Sequence, residues 1–357
     1  MTNFRIALIG PGKVAHLHAQ AVPQTPGAAL VAVCGRNPEK TAAFAQTYGI
    51  APYTSVAEMI ARERIDVCVV LTPHPAHREP TVAALEAGAH VLVEKPLAAT
   101  LADCDAMIAA AERTGRLLSV VSQRRFYAPC QRIRQALDAG KIGRPALGLV
   151  QMLGWRDEAY YRSDPWRGSW AQEGGGVLVN QAPHQLDLLL WYMGEPVSVF
   201  GQWRNVNHPY IEVEDTAVAV VQFKNGGLGN LVASNSQKPG LWGKVHLHGS
   251  SGASVGVQTD GGSMFIAGRS GIQEPPINDL WTVPGEEHLL TQWRDEDTAY
   301  FGQINPLTQY FARQLADFCA AIGEQRAPAI TAQDGRRVVQ LFEAIYESQR
   351  TGQLVRL

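Results

Sequence analysis

The sequence predicts two domains: an α/β amino-terminal domain built on a doubly wound parallel sheet, and an α+β carboxy-terminal domain with an open, mainly antiparallel sheet. The first third of the chain alternates short apolar runs with amphipathic stretches, which is typical of repeated βαβ units. From Val197 to about Val257 the strand-like runs are instead separated by turn residues. A chain of 357 residues also exceeds what one hydrophobic core usually organises. Because the pattern changes after Val121, we expect domains of residues 1–121 and 122–357.

Five buried parallel strands are predicted in the first domain, because five short runs are rich in Val, Ile and Leu on both faces. These runs read RIALIG, ALVAVCG, DVCVVLTP, HVLVEKP and LLSVVSQ. Helices are expected between them, since PEKTAAFAQTYG and PTVAALEAGA place alanine and leucine at helical spacing and stop at a glycine. Right-handed crossovers would stack these units into a doubly wound sheet.

The second domain is predicted to combine helices with a sheet. It begins with a helix in APCQRIRQALDAG, a strand in PALGLVQMLGW, a polar aromatic loop over 156–176 and a helix in APHQLDLLLWYMG. Strands follow in VSVFGQW, TAVAVVQFKNGG, LGNLVASNSQ and KVHLHGSSGASVGV, with NGG at 225–227 as a hairpin turn. Amphipathic helices in QYFARQLADFCAAIGE and QDGRRVVQLFEAIYESQRTG close the chain. We expect helices to cover one face of the sheet and a homodimer or homotetramer to form through the other.

Composition and charge exclude several classes of protein. Hydrophobic residues make up 46% of the chain, charged residues make up 18%, and the formal net charge is -2, so neither disorder nor a nucleic-acid partner is predicted. The amino terminus lacks a basic leader with an apolar cleavable stretch, and no apolar run approaches the ~20 residues of a membrane span. We therefore expect a cytoplasmic protein with no membrane partner. The five cysteines are scattered and form no CxxC pair, so buried thiols are expected rather than disulfides or a zinc ribbon.

A glycine-rich turn follows the first predicted strand and precedes a helix. It reads Gly10-Pro11-Gly12-Lys13-Val14-Ala15, a GxGxxA variant. Gly10 permits the tight turn, Gly12 lets the backbone approach a pyrophosphate, and Ala15 allows close packing of the helix on the sheet. The amino end of the helix would hold the pyrophosphate. The first domain is therefore predicted to be a Rossmann domain, with Gly10, Gly12, Lys13 and Val14 at the cofactor.

The choice of cofactor is read at the end of the second strand, where an Asp or Glu that bonds the adenosine ribose favours NAD. This strand ends Val33-Cys34-Gly35-Arg36-Asn37 and carries no acid there. Arg36 has the chemistry to bind a 2′-phosphate through two parallel hydrogen bonds or to stack on the adenine. Glu39 remains a second candidate for the ribose. The sequence favours NADP over NAD.

Two further segments resemble the family of glucose-fructose oxidoreductase, inositol dehydrogenase and MocA, the Gfo/Idh/MocA family. The first, VLTPHPAHREPTVAALEAGAHVLVEKPLA, contains an EKP tripeptide after a strand, about 20 residues beyond a TPxxxH-like turn. In that family the lysine of EKP reaches both the nicotinamide ribose and the substrate hydroxyl. The resemblance implies this role for Lys95.

The second segment, EGGGVLVNQAPHQLDLLLWYMGEP, resembles the family motif GGGxLxDxGxHxxDxxxW. The match places His184 on the family's catalytic histidine and Asp187 on the acid that follows it. Asn180 stands where the family usually has aspartate. An amide carries no charge, so Asn180 keeps hydrogen-bond orientation but not a carboxylate-assisted proton relay. The resemblance continues through QRRF at 123–126, the loop with YY and PWRG, VEDTAVAVVQF and AIYES, and thus covers nearly the whole chain.

The resemblance implies two sets of site residues besides the glycine-rich turn. The cofactor set is Thr72, Pro73, His77, Glu94, Lys95, Gln123, Trp166 and Arg167. The substrate set is Lys95, Arg125, Tyr160, Tyr161, Asn180, His184 and Tyr310. The aromatic and cationic loop that carries Tyr160 and Trp166 suits stacking on sugar faces, but it equally suits a subunit contact, because interfaces favour the same residue types. His246 and His248 face one side of a strand without a third ligand nearby in sequence, so no metal is predicted.

The predicted function is hydride transfer between NAD(P) and a ring hydroxyl or ketone of a sugar, glycoside or polyol. Oxidation of an alcohol needs a base near the departing proton and a cation near the developing alkoxide. His184 and Lys95 meet these needs, and we expect them to act together in the cleft outside the carboxyl ends of the parallel strands. Two alternatives remain: a glycosidase that uses tightly bound NAD for transient oxidation, and a non-catalytic Rossmann binding protein.

Overall fold

The computed structural model describes residues 3–261 and 274–357 of the chain. The chain divides into two compact units, Met1–Gln123 with Leu307–Arg336, and Arg124–Pro306 with Arg337–Leu357. The sequence predicts a boundary at residue 121, and the structure differs from that division in the segment Leu307–Arg336, which belongs to the first unit.

The two units contain fourteen strands and thirteen α-helices among the described residues. The strands are β1 Phe4–Ile9, β2 Ala28–Cys34, β3 Ala51–Tyr53, β4 Val67–Val70, β5 His90–Val93, β6 Leu118–Val120, β7 Pro145–Leu153, β8 Pro196–Arg204, β9 Thr216–Phe223, β10 Leu228–Ser234, β11 Trp242–Gly249, β12 Ser254–Asp260, β13 Ile277–Trp281 and β14 Val355–Arg356. The helices are α1 Lys13–Ala21, α2 Pro38–Tyr48, α3 Val56–Glu63, α4 Arg78–Glu86, α5 Leu101–Thr114, α6 Ala128–Asp138, α7 Glu158–Tyr161, α8 Trp170–Glu173, α9 Val177–Asn180, α10 Pro183–Met193, α11 Leu289–Phe301, α12 Pro306–Glu324 and α13 Ala332–Thr351.

The first unit is built on a six-stranded parallel sheet in the order β3-β2-β1-β4-β5-β6. This doubly wound order confirms the predicted fold class. The strand order reverses beside β1, so a crevice opens outside the carboxyl ends of β1 and β4, where such sheets bind ligands. The edge strand β3 is not predicted by the apolar pattern, because it has only three residues and contains Pro52, which a sheet accepts at its edge.

Helix α12 belongs to the first unit because its apolar face completes the core of that unit. Leu315, Phe318 and Cys319 are buried with Ile6 and Leu8 of β1 in one hydrophobic cluster. These three residues recur at the spacing of one helical face, so they point to the same side of α12. The sequence shows that this helix is amphipathic, but the identity of the surface it covers is a tertiary property.

The second unit is built on an eight-stranded sheet in the order β13-β12-β11-β7-β10-β9-β8-β14. The pair β7 and β10 is parallel and the other neighbours are antiparallel, which confirms an open, mainly antiparallel sheet. The predicted hairpin turn at 225–227 joins β9 to β10. One face is covered: Leu189 and Met193 of α10 pack against Gly148 of β7.

The predicted polar loop over 156–176 contains two single-turn helices, α7 and α8. Asp157 caps α7, because its side chain accepts a hydrogen bond of 2.7 Å from the backbone N–H of Tyr160. The loop is therefore ordered by local hydrogen bonds.

Among residues 3–261 and 274–357, none of the helices combines the length and the apolar composition that crossing a bilayer requires.

Candidate functional site

The glycine-rich turn between β1 and α1 has the shape required to hold a pyrophosphate. Gly10 has a positive φ of 105°, and a Cβ there would lie 3.0 Å from the carbonyl of Leu71, so only glycine fits. A Cβ on Gly12 would meet no described atom within 4 Å, which leaves open space in front of the helix. Among the described residues no side chain caps α1 and no acid lies in its first turn. The backbone N–H groups of α1, with Lys13 and Val14 beginning the helix, therefore suit a phosphate anion.

The turn after β4 lies beside this glycine-rich turn. β1 and β4 are neighbours, and the Cβ position of Gly10 is also 3.0 Å from the backbone nitrogen of Thr72. The Thr72 hydroxyl donates a hydrogen bond of 2.9 Å to the carbonyl of Ala76, and Pro73 precedes the short 3-10 helix His74–Ala76. Gly10, Thr72 and Pro73 thus share one edge of the sheet.

The end of β2 presents Arg36 to solvent. The next residue, Asn37, caps α2 by accepting a hydrogen bond of 2.8 Å from the backbone N–H of Lys40. Glu39 lies in the first turn of α2 and is also exposed. Both candidate ligands for the adenosine ribose are therefore accessible, one cationic and one anionic.

Lys95 follows β5 and is held by its neighbour Glu94. One carboxylate oxygen of Glu94 accepts the backbone N–H of Lys95 at 3.0 Å, and the other accepts the ring N–H of His18 at 2.9 Å. Burial acts to raise the pKa of Glu94, but the hydrogen bond and charge of His18 hold it below its usual value. Glu94 therefore acts on the backbone of the EKP turn. His18 was not among the predicted site residues, because nothing in the local pattern of α1 distinguishes it.

His77 connects the turn after β4 with the turn after β5. Its side chain is fully buried, with Nε2 2.8 Å from the carbonyl oxygen of Thr72 and Nδ1 3.0 Å from that of Pro96. Burial lowers the pKa of His77, which favours the neutral ring. A neutral ring carries one N–H, so His77 donates to one of these carbonyl oxygens and lies in contact with the other, between the two turns.

Arg125 is paired with the acid that follows His184. Its guanidinium donates to both carboxylate oxygens of Asp187, at 2.8 and 2.6 Å, and both side chains are buried. The guanidinium also lies 5.2 Å from the ring centroid of Trp191. Asp187 and Trp191 are both on α10, and His184 is half-buried at the start of that helix. Arg125, predicted as a substrate ligand, therefore anchors the helix that carries His184.

Asn180 lies in a buried hydrogen-bond network around Tyr160. Three N–H donors lie within hydrogen-bond distance of the Tyr160 oxygen: Arg167 at 2.5 Å, Gln181 at 3.0 Å and Asn180 at 3.3 Å. The amide of Asn180 also donates to the carboxylate of Glu173. Burial raises the pKa of Tyr160, while the charge of Arg167 acts to lower it. Arg167 stacks on the rings of Tyr160 and Trp166 as well.

The glycine run before α9 is held by a buried carboxylate. Glu214 accepts hydrogen bonds of 2.9 Å from the backbone N–H groups of Gly176 and Leu178 and from the Tyr346 hydroxyl. Burial raises the pKa of Glu214 to about 7, although these hydrogen bonds act to lower it. A Cβ on Gly176 would lie 1.8 Å from the carbonyl oxygen of Glu214, so this close approach requires glycine.

The structure assigns the predicted site residues to both units. The first unit contains Gly10, Gly12, Lys13, Val14, Arg36, Thr72, Pro73, His77, Glu94, Lys95, Gln123 and Tyr310. The second contains Arg125, Tyr160, Tyr161, Trp166, Arg167, Asn180 and His184. Tyr161 is buried and accepts a hydrogen bond of 3.3 Å from Asn235. Tyr310 is buried on α12, and Gln123 begins the 3-10 helix Gln123–Phe126.

The paired histidines of β11 have partners of their own. His246 lies 3.0 Å from both oxygens of Asp279, and His248 lies 2.8 Å from the Ser254 hydroxyl. Across residues 3–261 and 274–357, no group of three His, Cys, Asp or Glu side chains is arranged to hold a metal.

In a comparison with known proteins, family models match a segment in each of the two units. The family model for the GFO/IDH/MocA oxidoreductase family with an NAD-binding Rossmann fold matches residues 4–122, and the model for the GFO/IDH/MocA C-terminal domain matches residues 130–255.

Relatives of known activity align along almost the whole chain. The 1,5-anhydro-D-fructose reductase of Ensifer adhaerens is 27% identical over 361 residues, covering 98% of this chain and 97% of the relative. The myo-inositol 2-dehydrogenase of Thermotoga maritima is 25% identical, covering 99% of this chain and 98% of the relative.

A solved structure with a similar fold is that of the WlbA dehydrogenase from Bordetella pertussis, in complex with NADH and UDP-GlcNAcA. It is 28% identical, with a TM-score of 0.87, and the match covers 100% of this chain and 98% of that one. The resemblance carried by the sequence motifs is thus confirmed in both domains. The chain belongs to the Gfo/Idh/MocA family of NAD(P)-dependent oxidoreductases.

Proposed function

We propose that this enzyme transfers hydride between NAD(P) and a ring hydroxyl or ketone of a sugar, glycoside or polyol. The observation that carries the proposal is the position of Lys95. It lies at the same carboxyl edge of the parallel sheet as the glycine-rich turn, with its backbone held by Glu94 and its turn contacted by His77. Relatives named for sugar and polyol substrates support the substrate class.

Lys95 and His184 supply the proton chemistry in this proposal. The bound nicotinamide would supply the hydride acceptor. Lys95 contributes a cation that holds the reacting oxygen and stabilises developing negative charge. His184 takes the hydroxyl proton as a general base in the oxidative direction and returns it in the reductive direction. The anchoring of α10 by Arg125 and Asp187 supports a fixed position for His184 within its unit.

The test is a screen of myo-inositol, methyl α-D-glucopyranoside, 1,5-anhydro-D-fructose and related monosaccharides with both cofactors. We expect a change in reduced-cofactor absorbance that is stoichiometric with product. Release of an aglycone from a nitrophenyl glycoside without net cofactor change would instead indicate a glycosidase that uses transient oxidation. No turnover of any probe, with cofactor bound, would indicate a non-catalytic binding protein.

The preferred cofactor in this proposal is NADP. The support is Arg36, which is exposed at the end of β2 where the strand carries no acid. Its guanidinium would pair with the 2′-phosphate. Glu39 remains the competing ligand for a ribose 2′-hydroxyl, and it would favour NAD.

The quaternary structure in this proposal is a homo-oligomer formed through the open face of the second sheet. Phe200, Val218, Val220 and Leu228 are between 41% and 48% exposed on β8, β9 and β10. Phe200 pairs with Val220 across neighbouring strands, while Val218 pairs with Gln202 and Leu228 with Gln222, so the face combines exposed apolar side chains with glutamines. A second copy of the chain would cover it with the same face about a twofold axis, the arrangement of most homodimers.

A further inference from the structure

The orientation of the Asn180 amide is determined by a buried carboxylate. Glu173 is 1% exposed and ends α8, seven residues before Asn180. One of its oxygens accepts the backbone N–H of Gly168 at 2.6 Å, and the other accepts the side-chain amide of Asn180. Each carboxylate oxygen is therefore matched to an N–H donor.

This match decides which end of the amide faces the carboxylate. Only the NH2 group of an asparagine donates hydrogen bonds, and an ionised carboxylate only accepts them. The same NH2 group also faces the Tyr160 oxygen, at 3.3 Å. The carbonyl oxygen and the NH2 group are bonded to the same planar Cγ and point in different directions, so the oxygen does not face Glu173 at the same time. Asn180 therefore presents a hydrogen-bond acceptor in the direction away from Glu173.

The negative charge near Asn180 also belongs to Glu173. An acid at position 180 would place a second carboxylate in hydrogen-bond contact with Glu173, and two such groups do not both ionise at that separation. One of the two carboxyl groups would then hold the proton of the hydrogen bond, so that contact would depend on pH. An amide paired with an ionised acid needs no such proton. The neighbouring Tyr160 hydroxyl adapts to either arrangement, because it both donates and accepts.

We propose that Glu173 is a positioning residue for substrate recognition: it holds Asn180 so that the amide oxygen accepts a hydrogen bond from a hydroxyl group of the carbohydrate. This role rests on the proposed function. Glu173 acts through Asn180 and makes no contact with substrate itself. The enzyme would therefore prefer a substrate that has a free hydroxyl, rather than an ether or ester, at the carbon facing the Asn180 amide oxygen.

The test is a double-substitution cycle with Glu173→Gln, Asn180→Asp and the pair combined. In Glu173→Gln the introduced amide has one acceptor oxygen for two N–H donors, those of Gly168 and Asn180. Either the Asn180 amide flips its two ends, or one of the donors loses its hydrogen bond. In Asn180→Asp the two carboxyl groups share one proton, so their hydrogen bond is kept at low pH and lost when that proton dissociates. In the combined variant the introduced glutamine accepts from Gly168 and donates to the introduced aspartate, so the hydrogen-bond pattern is restored with the charge moved to position 180.

The probes are myo-inositol, methyl α-D-glucopyranoside and 1,5-anhydro-D-fructose, each with saturating cofactor. Glu173→Gln is expected to raise KM for the carbohydrate by about ten- to a hundredfold, since an unmatched buried polar group costs this much. Asn180→Asp is expected to do the same once the pH is high enough to ionise both carboxyl groups. The combined variant should recover to within about threefold of the wild type. KM for the cofactor should not change. Glu158→Gln is the matched control, because Glu158 is an exposed acid of α7 paired with the exposed Arg162.

Urea unfolding of all four proteins separates positioning from folding. A merely structural role would lower kcat through loss of folded enzyme and leave KM for the carbohydrate unchanged, and that result would overturn the proposal. Single substitutions whose effects on KM simply add in the combined variant would overturn it as well. If wild-type enzyme turns over none of the probes, both the proposed function and the substrate role of Asn180 fail. The contact between Glu173 and Asn180 would still be supported if the combined variant's unfolding midpoint differs from the sum of the two single effects.

Discussion

Lys95 and His184 are the residues whose side chains test the proposed chemistry most directly. We expect Lys95→Ala and His184→Ala each to lower turnover by about 10²–10⁴-fold, because this is the usual contribution of a general acid or base. Cofactor binding, measured by fluorescence titration, should be largely retained. Lys141→Ala is a matched control, since Lys141 is a surface lysine paired with Glu286. Full turnover in both variants would move the proton chemistry elsewhere, and Tyr160 and Tyr161 would be the next residues to test.

Arg36 decides the choice of cofactor in the proposal. Arg36→Ala should weaken binding of NADP by more than tenfold relative to NAD, because a charge-assisted pair with the 2′-phosphate contributes about 1.5–3 kcal/mol. Isothermal titration with both cofactors measures the difference. An equal loss for both would show that Arg36 stacks on the adenine, which the two cofactors share.

Asn180 departs from the residue usual in the family motif, and its amide contacts a buried acid. The motif usually carries an aspartate at this position, and the amide here donates to the buried Glu173 instead. The acid of this network, Glu173, lies on α8, and the amide lies on α9.

At the scale of elements, the protonation of Glu214, which holds the glycine run before α9, makes the stability of the protein depend on pH. Its pKa is raised from the usual 4.5 to about 7. Between these values the native state binds more protons than the unfolded state, so the contribution of Glu214 to stability is fully present below about pH 4.5 and is lost as the pH rises through about 7. The difference in unfolding free energy between wild type and Glu214→Gln should therefore fall by up to about 1.4 kcal/mol per pH unit in this window. Urea titrations at pH 5, 6, 7 and 8 give this difference. If the unfolding free energies of the two proteins change equally with pH, Glu214 does not take up the expected proton.

Helix α10 depends on the buried pair of Arg125 and Asp187. Asp187→Ala should destabilise the protein by about 3–5 kcal/mol, because it leaves the guanidinium buried without its carboxylate. The combined Arg125→Met and Asp187→Leu variant should be markedly less destabilised, since similar apolar side chains replace both charges. Thermal and urea unfolding compare the two. Equal destabilisation would mean that packing in this region, rather than the unpaired charge, determines the loss.

At the scale of the whole molecule, the open face of the second sheet determines assembly in the proposal. Val218→Asp with Val220→Lys should convert the oligomer to a monomer at micromolar concentration, because both charges would be buried on association. Light scattering after size-exclusion chromatography measures the mass. Leu354→Asp is the control, since Leu354 is 53% exposed and lies outside the strands of that surface. A wild-type protein that is itself monomeric would refute this interface.

The sequence by itself determined the features that depend on neighbouring residues. Strand and helix periodicity, the turn from Gly10 to Gly12, the EKP turn at Lys95 and the hairpin at 225–227 are local patterns, because backbone conformation responds first to adjacent side chains. Tertiary structure alone decided which distant groups meet. His18 contacts Glu94, Glu214 holds Gly176, and α12 joins the core of the first unit. Such partners are separated by 38 residues or more along the chain, and burial selects them by shape and charge in three dimensions, which no local pattern records.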